Sequence, residues 1–186
     1  LLRSLDGGVN WAVTQSSNWG WDLALHPTDG ATLYGAINAR GVYKSTDSGA
    51  TWVQLTTGLP VTGFQRIQIA MSPSNPLLLY ASFLGNNSSL LGMYKTTDGG
   101  ASWAKLTAAP DYLRGQGWYD NCVVVDPNNE NVCYAGGVFP YNALYRGVIR
   151  TFNGGASWSD ITRASDGSQA HPDQHTLADS APTKAI

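Results

Sequence analysis

Ser45-Thr46-Asp47-Ser48-Gly49-Ala50-Thr51-Trp52 is the stretch on which the reading of this chain turns. Its pattern, Ser/Thr-x-Asp-x-Gly-x-Ser/Thr-Trp, returns as Thr96-Thr97-Asp98-Gly99-Gly100-Ala101-Ser102-Trp103. Ser4-Leu5-Asp6-Gly7-Gly8-Val9-Asn10-Trp11 carries Asn10 where a hydroxyl is expected, and Thr151-Phe152-Asn153-Gly154-Gly155-Ala156-Ser157-Trp158 replaces the Asp with Asn153. In chain order the copies start 41, 51 and 55 residues apart. An Asp or Asn at the head of a tight turn accepts hydrogen bonds from backbone N–H groups further along it. Glycine at the fifth position supplies positive φ, and the closing Trp lays a large apolar face on the neighbouring hairpin. Asp6, Trp11, Asp47, Trp52, Asp98, Trp103, Asn153 and Trp158 are therefore structural. Asn153 still accepts the same bonds, so its turn should form.

The flanks repeat too. Gly41-Val42-Tyr43-Lys44, Gly92-Met93-Tyr94-Lys95 and Gly147-Val148-Ile149-Arg150 lead into a box as short strands. Trp52-Val53-Gln54-Leu55, Trp103-Ala104-Lys105-Leu106 and Trp158-Ser159-Asp160-Ile161 lead out of one. Upstream of each pair lie an apolar strand ending near Pro and then a strand containing Tyr. Each unit thus reads as four strands, A to D, with the box at the C–D turn, which is the plan of a propeller blade. The chain is one all-β propeller segment of four-stranded antiparallel blades: whole blades at 19–56, 64–107 and 118–162, a remnant in 1–15, and a further strand A opening 171–186. Such a ring is incomplete. The expectation is a part of a six- to eight-bladed ring, finished by the rest of the propeller or by another copy of the chain.

Composition agrees. Of 186 residues 13% are charged and 42% hydrophobic, with 21 glycines and seven tryptophans, a turn-rich β balance. A net charge of −2 without a basic cluster gives no footprint for nucleic acid, and no apolar run is long enough for a membrane helix. The composition looks extracellular, and secretion is the expected location. Cys122 and Cys133 flank the turn Asp126-Pro127-Asn128-Asn129-Glu130-Asn131; they are either a disulfide across two strands or two small buried hydrophobes.

With boxes on the C–D turns, the D–A and B–C connections share the opposite face. Trp19, Trp21 and Trp118, the tryptophans outside boxes, all fall on D–A segments, each near a carboxylate. Tyr119, Arg66, His171 and His175 lie there as well, and the B–C loops add Arg40, the segment from Phe83 to Leu90, and Tyr141. Aromatic faces beside carboxylates, amides and guanidinium groups suit stacking and hydrogen bonding to sugar rings; equally, such aromatics plug the top of a core. His171, Asp173 and His175 alternate and can converge. They suit a divalent metal or a hydrogen-bonded network at the channel mouth; no fourth ligand is evident, so no metal or other cofactor is assigned.

The boxes resemble those of the Asp-box (bacterial neuraminidase repeat) superfamily, which includes sialidases, xyloglucan-degrading glycosidases, sortilin-type receptors and a photosystem assembly factor. Gly115-Gln116-Gly117-Trp118-Tyr119-Asp120-Asn121 and His171-Pro172-Asp173-Gln174-His175-Thr176-Leu177-Ala178 look like its secreted, glycosidase-like and sortilin-like members. The resemblance implies the fold strongly and the activity weakly, since the members share turns rather than active sites. The arginines match no sialidase triad. Xyloglucanase-type chemistry would need two carboxylates across a glycosidic bond, and Asp22, Asp120 and Asp173 are the candidates. Polysaccharide recognition, with or without hydrolysis, leads; a protein-binding scaffold or receptor-like module, and a fragment active only in a completed ring, are the alternatives.

Overall fold

The computed structural model describes residues 1–16, 18–138 and 147–177, all of them strand, turn or irregular. β1 (Leu2–Arg3) and β2 (Ala12–Val13) form a two-stranded sheet. Three four-stranded meanders follow, each hydrogen-bonded in chain order. The first holds β3 (Gly20–Leu25), β4 (Leu33–Ile37), β5 (Gly41–Ser45) and β6 (Val53–Leu55). The second holds β7 (Phe64–Met71), β8 (Leu79–Gly85), β9 (Leu90–Thr96) and β10 (Ala104–Lys105). The third holds β11 (Cys122–Val125), β12 (Cys133–Gly136), β13 (Val148–Thr151) and β14 (Ser159–Asp160). All pairings are antiparallel, and the boxes span the β1–β2, β5–β6, β9–β10 and β13–β14 turns. Half of the stretch read as the B–C loop from Phe83 to Leu90 belongs to β8 and β9, and the turn is confined to residues 86–89.

Sheets stacked face to face explain the composition of the middle strands. β8 is buried at all seven positions, because the first and third meanders cover its two faces. A strand covered on both sides reads as a continuous apolar run rather than an alternation. One cluster joins Tyr34, Val42 and Leu59 of the first meander to Phe64, Ile69, Phe83 and Trp103 of the second. A second joins Tyr80, Met93 and Tyr112 to Val125, Cys133 and Ile149. Across the first seam Tyr34 Oη and Lys44 Nζ both donate to the Gly99 carbonyl at 2.8 Å. At the next, Tyr80 Oη donates to the Glu130 carbonyl at 3.1 Å and Lys95 Nζ to that of Gly154 at 3.5 Å.

The four boxes share one hydrogen-bond plan. Asp47 Oδ1 accepts from Thr51 N at 2.9 Å and Oδ2 from Thr51 Oγ1 at 2.6 Å, while Ser45 Oγ accepts from Gly49 N at 2.8 Å. Asn153 keeps the plan: its Oδ1 accepts from Ser157 N and its Nδ2 donates to Ser157 Oγ, both at 2.9 Å. The fifth-position glycines have positive φ as expected, and so does the fourth position, where Ser48 sits at 60°. Bonds from Thr51 hold Asp47 at a pKa of about 2, and bonds from Asn10 hold Asp6 there too. A carboxylate whose folded pKa is depressed contributes stability above its ordinary value near 4 and loses it as pH falls toward the folded value. Thermal unfolding is therefore expected to stay level from neutral pH to about 5 and to drop between about 4 and 2. Asp47→Asn should flatten that drop, and an unchanged acid limb in this variant would contradict the assignment.

The disulfide does not form: Cys122 and Cys133 are both free and buried. The ladder sets Cys133 opposite Val125 and Cys122 opposite Gly136. Paired residues share a face and residues an odd number apart do not, so the thiols lie on opposite faces of the sheet. Burial drives both thiols well above their usual range, Cys122 to about 12, which leaves them as small core hydrophobes. The further strand A expected from residue 171 is also absent within 171–177. Asp173 makes only a single antiparallel bridge, to Val138; residues 178–186 lie outside the described residues.

Candidate functional site

Backbone bonds stitch each B–C turn to the D–A segment that follows it. Ala39 N donates to Gln65 O at 3.0 Å, Gly115 N to Ser88 O at 2.7 Å, and Gln174 N to Gly137 O at 3.0 Å. One face opposite the boxes therefore carries residues from all three meanders.

An aromatic row crosses this face. Trp19 is 62% exposed and meets the edge of Trp21 at 6.5 Å between ring centroids. Trp21 is half-buried, its indole Nε1 donating to Asn38 Oδ1 at 2.9 Å. It also lines an open depression of about 280 Å3 with Leu1, Gly20, Asp22 and Leu23. The Arg66 guanidinium lies 5.0 Å from the centre of the Trp21 ring, within cation–π range. Trp118 and Tyr119 come next, both more than half exposed, their rings 5.5 Å apart. The edge of His175 closes the row, 4.3 Å from Tyr119.

Arg66 is the hub. Its Nη1 donates to the carbonyls of Trp118, at 3.2 Å, and Tyr119; its Nη2 donates to Asn121 O at 3.0 Å. Burial pulls its pKa down, opposed by the carboxylates of Asp120 and Asp22 among others, and it remains a cation. Arg40, by contrast, is exposed on its turn, and among the described residues no group pairs with its guanidinium. Tyr141 lies outside the described residues.

The three carboxylates meet different fates. Asp22 Oδ2 accepts from Gln68 Nε2 at 2.8 Å and Ile69 N at 2.9 Å, and Oδ1 from Leu23 N at 2.8 Å. Desolvation still raises its pKa. It ties the first inner strand to the second. Asp120 is wholly buried, and neither oxygen accepts a directed hydrogen bond among the described residues. His175 Nδ1 stands 3.1 Å from Asp120 Oδ1, and burial pushes the carboxyl up against that attraction. Asp173 is partly exposed, its backbone N–H on His171 Nδ1 at 3.2 Å and its carboxylate 3.9 Å from the same atom. The three residues read as convergent thus divide: His171 faces Asp173, and His175 faces Asp120. Among the described residues no group of three or more His, Cys, Asp or Glu is placed to hold a metal ion.

Sequence reading places Asn38 on the B–C loop of this face without its bond to Trp21, and it misses Gln68, which binds Asp22, and the buried Ser82–Tyr112–Asn121 chain at 2.6 and 3.1 Å. Arg66 and Gln68 did carry a signal: with Gln65 they are the polar residues of an otherwise apolar inner strand, and they stand at alternate positions of it.

No family model matches the chain. A xyloglucanase of Paenibacillus sp. is 26% identical over 191 residues, covering 87% of this chain. One of Hypocrea jecorina is 32% identical over 123 residues, covering 62% of it. The chain spans 18% and 14% of the lengths of these relatives. Among solved structures it resembles an ancestral GH74 enzyme, with a TM-score of 0.64 at 21% identity, over 84% of this chain and 20% of that one. Its fold is an open β-propeller. The three meanders are blades, β3, β7 and β11 their A strands, and the aromatic row runs over the propeller's D–A and B–C face.

Proposed function

We propose that this chain is part of an extracellular glycosidase-like propeller that binds a polysaccharide of the xyloglucan type on its D–A and B–C face. The observation that carries this reading is the row of Trp19, Trp21, Trp118 and Tyr119, exposed or half-exposed and rimmed by hydrogen-bonding groups. Sugar rings present flat C–H faces to such aromatics and hydroxyls to the amides and charges beside them. The likeness to xyloglucanases supports the same class of ligand. Binding rather than cutting is the activity these residues favour: Asp22 is committed to the seam, and in the free chain Asp120 is covered.

Calorimetric titration with a xyloglucan heptasaccharide is the test. Trp118→Ala should weaken binding about tenfold, the equivalent of roughly 1.4 kcal/mol, and Trp21→Ala by a similar factor. A double variant that binds as the parent does would remove the reading.

A further inference from the structure

Among the described residues, Asp120 is a buried carboxylate with neither oxygen hydrogen-bonded. A fully buried carboxylate without hydrogen-bond donors costs stability, because the interior replaces none of the water it loses. Among the described residues His175, His171 and Arg66 attract it and Asp173 repels it, and it acts in turn on the Cys122 thiol. Arg66 gives three bonds to the carbonyls on either side of Asp120 and none to the carboxylate, while its own Nε is unpartnered. Among the described residues His175 alone stands within ion-pair distance.

His175 belongs to a segment that is lightly held. Residues 171–177 join the third blade through the Asp173–Val138 bridge, the bond from Gln174 N to Gly137 O, a long contact of the Cys122 thiol with Gln174 O at 3.5 Å, and His175 itself. Among the described residues no ladder secures it, although Pro172 is buried, and segments without a ladder open at low free energy.

We propose that residues 171–177 are a strap closed over a sugar-recognition carboxylate, and that with the strap lifted the two oxygens of Asp120 accept hydrogen bonds from adjacent hydroxyls of a sugar stacked on Trp118 and Tyr119. The free state is then the closed one, with the His175 ring held at ion-pair distance where the ligand's donors would come. A vicinal diol matches the need: it brings two neutral donors to two acceptor oxygens and adds no charge to the seam. The inference rests on the polysaccharide reading and adds to it a recognition residue and a gate.

Asp120→Asn keeps the volume and removes the charge. It is expected to bind the xyloglucan heptasaccharide at least tenfold more weakly while unfolding at the same temperature or higher. His175→Ala is expected to speed amide exchange across 171–177 several-fold in the absence of sugar. Undiminished binding by Asp120→Asn, with the parent binding normally, overturns the role of the carboxylate and leaves the polysaccharide reading intact. A parent chain that ignores the heptasaccharide overturns the polysaccharide reading and the ligand class together. The strap is decided separately by exchange: amides of 171–177 as protected as those of β12, and unmoved by His175→Ala, would eliminate it.

Discussion

Trp103→Ala is expected to lower the unfolding free energy by about 3–5 kcal/mol, whereas the same change at Trp11 should cost less than about 1 kcal/mol. Both residues close the same eight-residue box, so local turn chemistry predicts equal effects. Their surroundings differ. Trp103 is 6% exposed and belongs to the cluster shared by the first two blades, with Tyr34, Leu59 and Phe64. Its backbone N–H donates to Thr57 O at 3.0 Å, and Gly58 passes so close that a Cβ there would sit 1.9 Å from the Trp103 carbonyl. The seam cannot collapse onto a missing indole without moving that backbone, so the cavity persists and its full cost is felt. Trp11 is 60% exposed, its indole N–H on its own box at Gly8 O. Trp52 and Trp158, half-buried against Thr14 and against the second cluster, should fall between. Urea unfolding of the four alanine variants checks the order. Equal losses at all four would mean that the tryptophans stabilise turns rather than seams.

That contrast marks how far the sequence could be read. Each box is closed by bonds spanning four residues, such as Thr51 N to Asp47, so residue identity alone is enough to recognise it. Blade order and the shared D–A face follow from counting boxes, and the aromatic row was legible on them as three tryptophans outside the repeat. Register was not. The offset between the cysteines is set by the β11–β12 turn, where Asp126 N donates to Val132 O and Val132 N to Asn129 O, each at 2.9 Å. Spacing along the chain does not show that choice, and a slip of one residue would exchange faces. The fates of the carboxylates were equally hidden. Asp22 finds Gln68 and Ile69 46 and 47 residues away, and no local pattern distinguishes it from Asp120, whose oxygens find no hydrogen-bond donor among the described residues. Within 171–177 of the expected further strand A, the pairing among the described residues is the single Asp173–Val138 bridge, since a strand needs a ladder and the polar run His171-Pro172-Asp173-Gln174-His175 extends none there.

Arg66→Ala should weaken heptasaccharide binding by about 10–100-fold, roughly 1.4–2.8 kcal/mol, although Arg66 need not touch the sugar. The side chain joins two halves of the aromatic row that come from different blades. Its face packs over Trp21, from the A strand of the first blade. Its edge donates to the carbonyls of Trp118, Tyr119 and Asn121, on the segment entering the third. Without it the 118–121 backbone loses three charge-assisted bonds and Trp21 loses its partner, so the spacing between the stacking platforms is no longer set. Lysine cannot replace it: an ammonium on a flexible stem is a point charge and lacks the planar fork that reaches carbonyls on both sides of Asp120 while lying flat on an indole. Arg66→Lys is accordingly expected to bind nearly as poorly as Arg66→Ala. A role confined to stability would show as a lower unfolding temperature with unchanged affinity below it. A positioning role shows as lost affinity in the folded chain, faster amide exchange at 116–121, and partial rescue by guanidinium ion too dilute to unfold it. Full affinity in Arg66→Lys would mean that charge alone suffices and that the fork between the blades does not set the site.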